Sequence, residues 1–255
     1  MTDVFDETGH RAREILDNIK RIRDEIAIHA SSVGRKENAI TLCAVTKTRP
    51  VTDCLSAIHA GVTDLGENYV QEAREKMPAV RAALSGSTPV TCHLIGHLQT
   101  NKIKYAVHFT DVFQTVDSEE CLQGIAKSAQ KLYNVATIDQ ASFQTTRVLI
   151  EVNLAESEIR AGIPPESAIE FALKARETPG IALSGFMGIA PYGEDAETAR
   201  PYFARLKKLF DALPEQNRQI LSMGMSGDFQ VAIQEGATLV RIGTAIFGKR
   251  DQVVR

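Results

Sequence analysis

Lys47 stands where an amine is unusual. It follows the apolar run 40–45 in Ala44-Val45-Thr46-Lys47-Thr48-Arg49-Pro50, and Pro50 stops the segment. If that run is a buried strand, desolvation lowers the amine's pKa and exposes its nucleophilic free base, which suits imine formation with a carbonyl compound. The plain alternative is a strand-end lysine reaching into water. Two later stretches carry a different chemistry. Ser222-Met223-Gly224-Met225-Ser226-Gly227-Asp228 and Arg241-Ile242-Gly243-Thr244-Ala245 combine glycines, which let backbone N–H groups approach an anion, with small hydroxyls that donate to its oxygens. Taken singly, Gly224 and Gly227 could only make a tight turn, and Ser226 or Asp228 could only cap the next helix. A carboxylate repels an anion, so Asp228 is expected to face away from the cup and cap that helix. Arg241 has two readings, as a donor to a ligand or as half of an interior ion pair with Glu151.

The elements that must position these residues alternate. Apolar strand candidates fall at 40–45, 63–65, 91–95, 112–116, 148–152, 182–187, 219–223 and 239–242. Helical patterns separate them at 52–59, 70–80, 100–107, 119–132, 166–176, 196–213 and 228–234, and another is expected near the C-terminus. Ahead of them Ile15, Ile19, Ile22 and Ile26 recur at helical spacing, so 10–32 reads as an amphipathic helix laid against the body. The polar stretch 134–146 reads as a loop insertion. Eight βα units in about 220 residues suit a parallel sheet closed into a (β/α)₈ TIM barrel, α/β in class. No GxGxxG follows the first strand, which argues against an open dinucleotide-binding sheet. Residues 1–255 read as a single barrel domain.

In such a barrel the active site lies at the C-terminal ends of the strands, and the last two loops commonly hold phosphate. Lys47 follows the first strand, and the two glycine-rich stretches follow the seventh and eighth. An amine and an anion cup on one rim suit a phosphorylated aldehyde, of which pyridoxal phosphate is the common one. Arg241 would then lie where it can donate to the pyridine nitrogen. A guanidinium stays protonated, so the ring nitrogen would stay an unprotonated acceptor and the ring a poorer electron sink.

The charge of -3 and pI near 6.1 argue against a polyanion-binding surface, so nucleic acid is not expected as a partner. No apolar run approaches the roughly 18 residues of a membrane span, and the start carries no signal-peptide pattern, so a cytoplasmic protein away from membranes is expected. Cys43, Cys54, Cys92 and Cys121 show no CxxC spacing and read as reduced thiols. His93 and His97 have the spacing of helical metal ligands but sit on a strand and turn, so no metal is expected.

The motifs match a known pattern. Ala44-Val45-Thr46-Lys47-Thr48, Gly66-Glu67-Asn68-Tyr69-Val70-Gln71-Glu72, the stretch 93–102 from His93 through Gly96-His97 to Lys102, the stretch 221–228 and Val240-Arg241-Ile242-Gly243-Thr244-Ala245-Ile246-Phe247-Gly248 run in order across nearly the whole chain. Together they resemble the pyridoxal-phosphate homeostasis protein family. That family is similar in fold to the N-terminal barrel of alanine racemases, without their added β-domain. The resemblance implies that Lys47 holds pyridoxal 5′-phosphate as an internal aldimine, a Schiff base. It implies that Ser226, Gly243 and Thr244 bind the phosphate, that Arg241 approaches the ring nitrogen, that Asn68 and Met187 line the ring, and that Met223 and Gly224 support the cup.

Members look like carriers or regulators of the vitamin B6 pool with no established catalytic activity. Apo-enzymes that use the cofactor are the expected recipients, and a monomer is the expected state. The alternative is an amino-acid racemase of alanine racemase type. It needs acid/base groups on both ring faces, for which Tyr69, Tyr105 and Tyr192 are the possible stand-ins for a tyrosine. Departures from the family pattern are small. Thr46 stands where serine is common, 134–146 is long, and the stretch 157–163, with Arg160, differs from the usual lysine-containing loop.

Overall fold

In the computed structural model, residues 3–84, 89–135, 145–155 and 161–249 are described. Eight parallel strands close into a barrel in sequence order. They are β1 (Thr41–Val45), β2 (Asp64–Glu67), β3 (Thr91–Leu94), β4 (Val112–Val116), β5 (Thr146–Val152), β6 (Ile181–Gly188), β7 (Ile220–Ser222) and β8 (Leu239–Ile242). β1 closes the ring on β8 through Cys43 opposite Arg241 and Ala44 opposite Ile242. The helices are α1 (Asp3–Ser31), α2 (Val51–His59), α3 (Val70–Ala83), α4 (Ile103–Ala106), α5 (Glu119–Val135), α6 (Ala168–Glu177), α7 (Arg200–Ala212), α8 (Phe229–Gln234) and α9 (Thr244–Phe247).

Period-2 alternation divides each strand between two environments. Leu42, Ala44, Leu65, Cys92, Leu94, Phe113, Phe186, Leu221 and Val240 belong to the large apolar core shared with the helices. Their neighbours point into the barrel, where Val112, Leu149 and Met187 form a separate small apolar cluster. Fully burying one large apolar side chain such as Phe113 or Phe186 contributes about 1.5–3 kcal/mol, and the helix-facing layer holds most of them.

Helix α1 buries Ile15, Ile19, Ile22 and Ile26, as its spacing predicts, and packs on α2, α8 and α9. Asn18 donates to the Ile246 carbonyl (2.9 Å) and Arg11 to the Phe247 carbonyl (2.8 Å), so α1 braces the short helix after β8.

Several boundaries differ from the pattern-based expectation for identifiable reasons. The 100–107 helix is a 3-10 turn (Thr100–Lys102) followed by the four-residue α4. The 196–213 helix starts as a 3-10 turn (Ala196–Ala199) and restarts as α7 with Pro201 in its first turn, where a missing N–H costs nothing. β2 runs on through Glu67, because the ladder to β3 pairs Gly66 with His93 and Glu67 with Leu94. The 134–146 insertion is shorter than expected: α5 continues to Val135 and β5 begins at Thr146, paired with Ile181, while 136–144 lie outside the described residues. Of the 157–163 loop, 157–160, including Arg160, lie outside them too.

Candidate functional site

Lys47 sits in the turn that leaves β1, half-buried, between a buried threonine and Thr48, whose φ of 61° is left-handed. A non-glycine residue pays for that conformation with about 1–2 kcal/mol, so neighbouring contacts must hold it. They do so on both flanking peptide groups. The Thr46 carbonyl accepts from Lys76 Nζ (2.7 Å) and the Thr48 N–H donates to Glu72 Oε1 (2.6 Å). Lys76 Nζ also reaches Glu67 Oε1 (2.8 Å) and Glu72 Oε1 (2.6 Å), and Thr46 Oγ1 donates to the same Glu67 oxygen (2.6 Å). Burial alone would lower the Lys76 pKa, but the two carboxylates outweigh it and hold the ammonium above its ordinary value. Burial wins at Glu67 and pushes its carboxyl up despite Lys76.

The anion-cup candidates lie on the same rim. Gly243 follows β8, and a Cβ placed there would come 3.3 Å from Val45 Cβ and 3.5 Å from the Val45 carbonyl oxygen, two residues before Lys47. Ser226 Oγ accepts from the Ala245 N–H (3.3 Å), which joins the loops after β7 and β8. Gly224 has φ +90°, and its carbonyl accepts from the Arg241 N–H (3.0 Å). Met223 is buried beneath the loop, Ser226 and Gly243 are half-buried and Thr244 is exposed. The Asp228 expectation needs correction. Its carboxylate does not cap α8; it turns back to accept from the Met225 N–H (2.6 Å) and closes the loop. A tight loop brings that N–H nearer than the helix's own, and burial pushes the Asp228 carboxyl up.

Arg241 is buried on the barrel's inner face and anchors a chain of hydrogen bonds. Its Nη1 donates to Ser222 Oγ (2.6 Å), Ser222 to Gln114 Oε1 (2.6 Å), Gln114 Nε2 to His93 Nδ1 (2.8 Å), and His93 Nε2 to Asp64 Oδ1 (2.8 Å). Because Gln114 uses its oxygen toward Ser222, its amide nitrogen must donate to His93, which assigns the neutral imidazole proton to Nε2. Arg241 Nη2 donates to the Gly188 carbonyl (3.0 Å). Burial lowers the guanidinium's pKa, yet an arginine starts high enough to remain charged. The alternative reading of Arg241, an interior ion pair with Glu151, is not the contact that forms: Ser222 and Gly188 take the guanidinium, and Glu151 acts on it only through space.

Asn68 follows β2, and its Oδ1 is buried without a hydrogen-bond partner in the protein, an acceptor that a ligand donor would satisfy. Gly96 presses on its backbone, since a Cβ there would lie 2.4 Å from the Asn68 carbonyl oxygen. Met187, next to last in β6, is fully buried in the inner apolar cluster. Glu151 on β5 is pushed up to about 7 by burial, with Asp117 raising it further and Arg241 pulling it down. It lines a 210 Å³ pocket with Asn153 and Ile189, and Ala161 connects that pocket to a 590 Å³ cavity edged by His97, Gln99, Asn101 and Asp117. Both lie over β3 to β6, across the mouth from Lys47.

Sequence reasoning placed Lys47, Asn68, Met187, Met223, Gly224, Ser226, Arg241, Gly243 and Thr244 at strand ends or in the loops that follow, and the barrel brings all of them toward one end. It missed Lys76, Gln114 and Asp64. Only Lys76 had a local signal, four residues after Glu72 on one helix face. His93 belongs to the interior chain, and His97 is exposed beside Asp117 (3.4 Å). The four cysteines are buried thiols, and burial pushes Cys54 and Cys121 up to about 12. Among the described residues no helix is long and apolar enough to cross a membrane.

Residues 16–251 match the family model described as alanine racemase, N-terminal domain. The pyridoxal phosphate homeostasis protein of Pasteurella multocida is 35% identical over 238 residues, covering 92% of this chain and 97% of the relative. Among solved structures, an unknown protein from Bifidobacterium adolescentis superposes with a TM-score of 0.84 at 35% identity, over 93% of this chain and 96% of that one. PipY of Synechococcus elongatus, solved with PLP bound, gives 0.68 at 30% identity, over 88% of this chain and 100% of its own. With a closed eight-strand barrel, a match to the family model over nearly its whole length and such a relative, the chain belongs to the pyridoxal phosphate homeostasis protein family, built on the alanine racemase N-terminal domain.

Proposed function

We propose that this protein binds pyridoxal 5′-phosphate through Lys47 and acts in intracellular vitamin B6 homeostasis as a carrier or regulator of the cofactor. The observation that carries the reading is the approach of Gly243 to Val45, which sets the loop after β8 beside the turn bearing Lys47. Pyridoxal 5′-phosphate supplies a reactive aldehyde that condenses with a primary amine and releases water. Lys47 offers that amine from a half-buried turn, while Ser226, Gly243 and Thr244 offer a hydroxyl and backbone N–H groups to the phosphate. Met223 and Gly224 shape the floor of the cup. Arg241, fixed by Ser222 and Gly188, keeps its remaining N–H groups for the ring nitrogen. Asn68 Oδ1 and Met187 complete the walls of the ring site.

The racemase alternative requires a second acid/base group opposite the lysine. Tyr192 is 91% exposed, Tyr69 is half in solvent, and Tyr105 stacks against Arg74 and Lys104. None has a feature that favours this role, so the carrier reading stands ahead. A cytoplasmic monomer that passes its cofactor to apo-enzymes is part of the same proposal.

Borohydride reduction of the loaded protein, followed by peptide mass mapping, tests it. A single pyridoxyl group on Lys47 is expected, and an unmodified Lys47 in excess cofactor overturns the assignment. Single-enantiomer amino acids in deuterated water test the alternative: rapid α-carbon exchange that disappears in Lys47→Ala would make the protein an enzyme.

A further inference from the structure

The charged cluster at the foot of α3 has no place in the cofactor site itself, yet it touches the chain on both sides of Lys47. Lys76 is 6% exposed and Glu67 fully buried, a placement that ionised side chains rarely adopt without a specific task. All three Lys76 ammonium protons are used, on the Thr46 carbonyl, Glu67 Oε1 and Glu72 Oε1. Glu72 in turn holds the Thr48 N–H. The peptide groups before and after Lys47 are therefore fixed by Lys76 and Glu72 of α3, which an ion triad ties to Glu67 at the end of β2. The left-handed Thr48 conformation keeps the turn from relaxing into extended strand.

We propose that Lys76 and Glu72 are positioning residues for Lys47. They set the direction in which its side chain leaves the end of β1, and they act through the Thr46 carbonyl and the Thr48 N–H without touching the ligand. This rests on the reading that Lys47 is the cofactor-binding amine. A side chain with four rotatable bonds reaches one small volume reproducibly only if its Cα–Cβ bond is fixed. The triad supplies that constraint from α3 and the end of β2, which is how outer-shell groups orient functional side chains.

The triad acts through one residue, so removing it should weaken only what that residue does. Lys76→Met and Glu72→Ala are compared with the wild type, each with and without Lys47→Ala, and cofactor affinity is read by absorbance titration. In the Lys47 background each variant is expected to bind at least tenfold more weakly, with Glu72→Gln, which keeps an acceptor, losing less than Glu72→Ala. In the Lys47→Ala background the same changes should alter residual binding less than twofold. Amide hydrogen exchange of the cofactor-free protein gives a second readout: the Thr48 N–H is expected to exchange at least tenfold faster in either variant. Equal losses in both backgrounds, or wild-type affinity with unchanged Thr48 exchange, overturn the proposal. Should Lys76→Met fail to fold, Glu72→Ala carries the comparison, since Glu72 is partly exposed. Failure of the wild type to form any adduct at Lys47 would sink the cofactor reading separately, leaving the exchange result to decide the positioning role.

Discussion

Arg241 and Asp64 occupy one register level of the ladder, each paired with Cys43 between them, and they are also joined the long way round the barrel interior through Ser222, Gln114 and His93. Every link donates toward Asp64, so the arginine's charge and the aspartate's charge lie at opposite ends of one polarised chain. Burial alone would raise the Asp64 carboxyl, but hydrogen bonds from His93 and Thr63 hold it below its ordinary value.

Gln114 is the link that cannot be spared, because it bridges β4 and β7 across the interior. Gln114→Leu leaves the Ser222 O–H without its acceptor and His93 Nδ1 without its donor in a buried site, while Ser222 Oγ still accepts from Arg241. Each lost partner of that kind costs about 1–3 kcal/mol, so the variant should lose about 2–6 kcal/mol in urea denaturation. A loss below 1 kcal/mol would mean the chain does not persist in solution.

Glu151 makes stability depend on pH in a defined direction. Its pKa is raised to about 7 in the fold from 4.5, so its contribution is full below 4.5 and is lost as pH rises to about 7. Glu151→Gln removes that loss. Relative to wild type, the cofactor-free variant should gain stability between pH 4.5 and 8, by at most about 3.5 kcal/mol at 1.4 kcal/mol per pKa unit. Chemical denaturation across that range checks it, and parallel curves for the two proteins would contradict it.

The cup's backbone gives a paired test. Gly224 has φ +90°, and a Cβ there would fall 2.5 Å from Ala232 Cβ, whereas a Cβ at Gly227 meets nothing within 4 Å. Gly224→Ala should cost about 1–3 kcal/mol and weaken cofactor binding. Gly227→Ala should stay within about 0.5 kcal/mol of wild type. Differential scanning calorimetry separates the two.

Cofactor binding should appear as thermal stabilisation. At a hundredfold excess over Kd, linkage adds about 2.7 kcal/mol, which for a chain of this size raises Tm by roughly 5–10 °C. Lys47→Ala should shift less at the same concentration, because it loses the covalent part while the loops after β7 and β8 remain. An identical shift would detach the lysine from binding.

The barrel was legible because its evidence is local. Each strand announced itself by an apolar run and each helix by its own period, and eight repetitions leave few ways to close a parallel sheet. The placement of Lys47, Ser226, Gly243 and Thr244 was legible for the same reason: each follows a strand, and in this fold the residues that follow strands share one rim. Boundaries slipped where local pattern competes with pairing or with proline, as at Thr146 and Pro201. Asp228 slipped because a turn offered a nearer N–H than the helix did.

What the chain carried in its own order was therefore the architecture, the amine and the glycine-rich loops. What closure of the barrel decided was which side chains meet across it: Lys76 with Thr46 and Glu67, Arg241 with Ser222, Gln114 with His93. Those partners lie 9 to 30 residues apart, and no period in the sequence connects them. Their contact depends on strand register, and register is set by all eight strands packing at once.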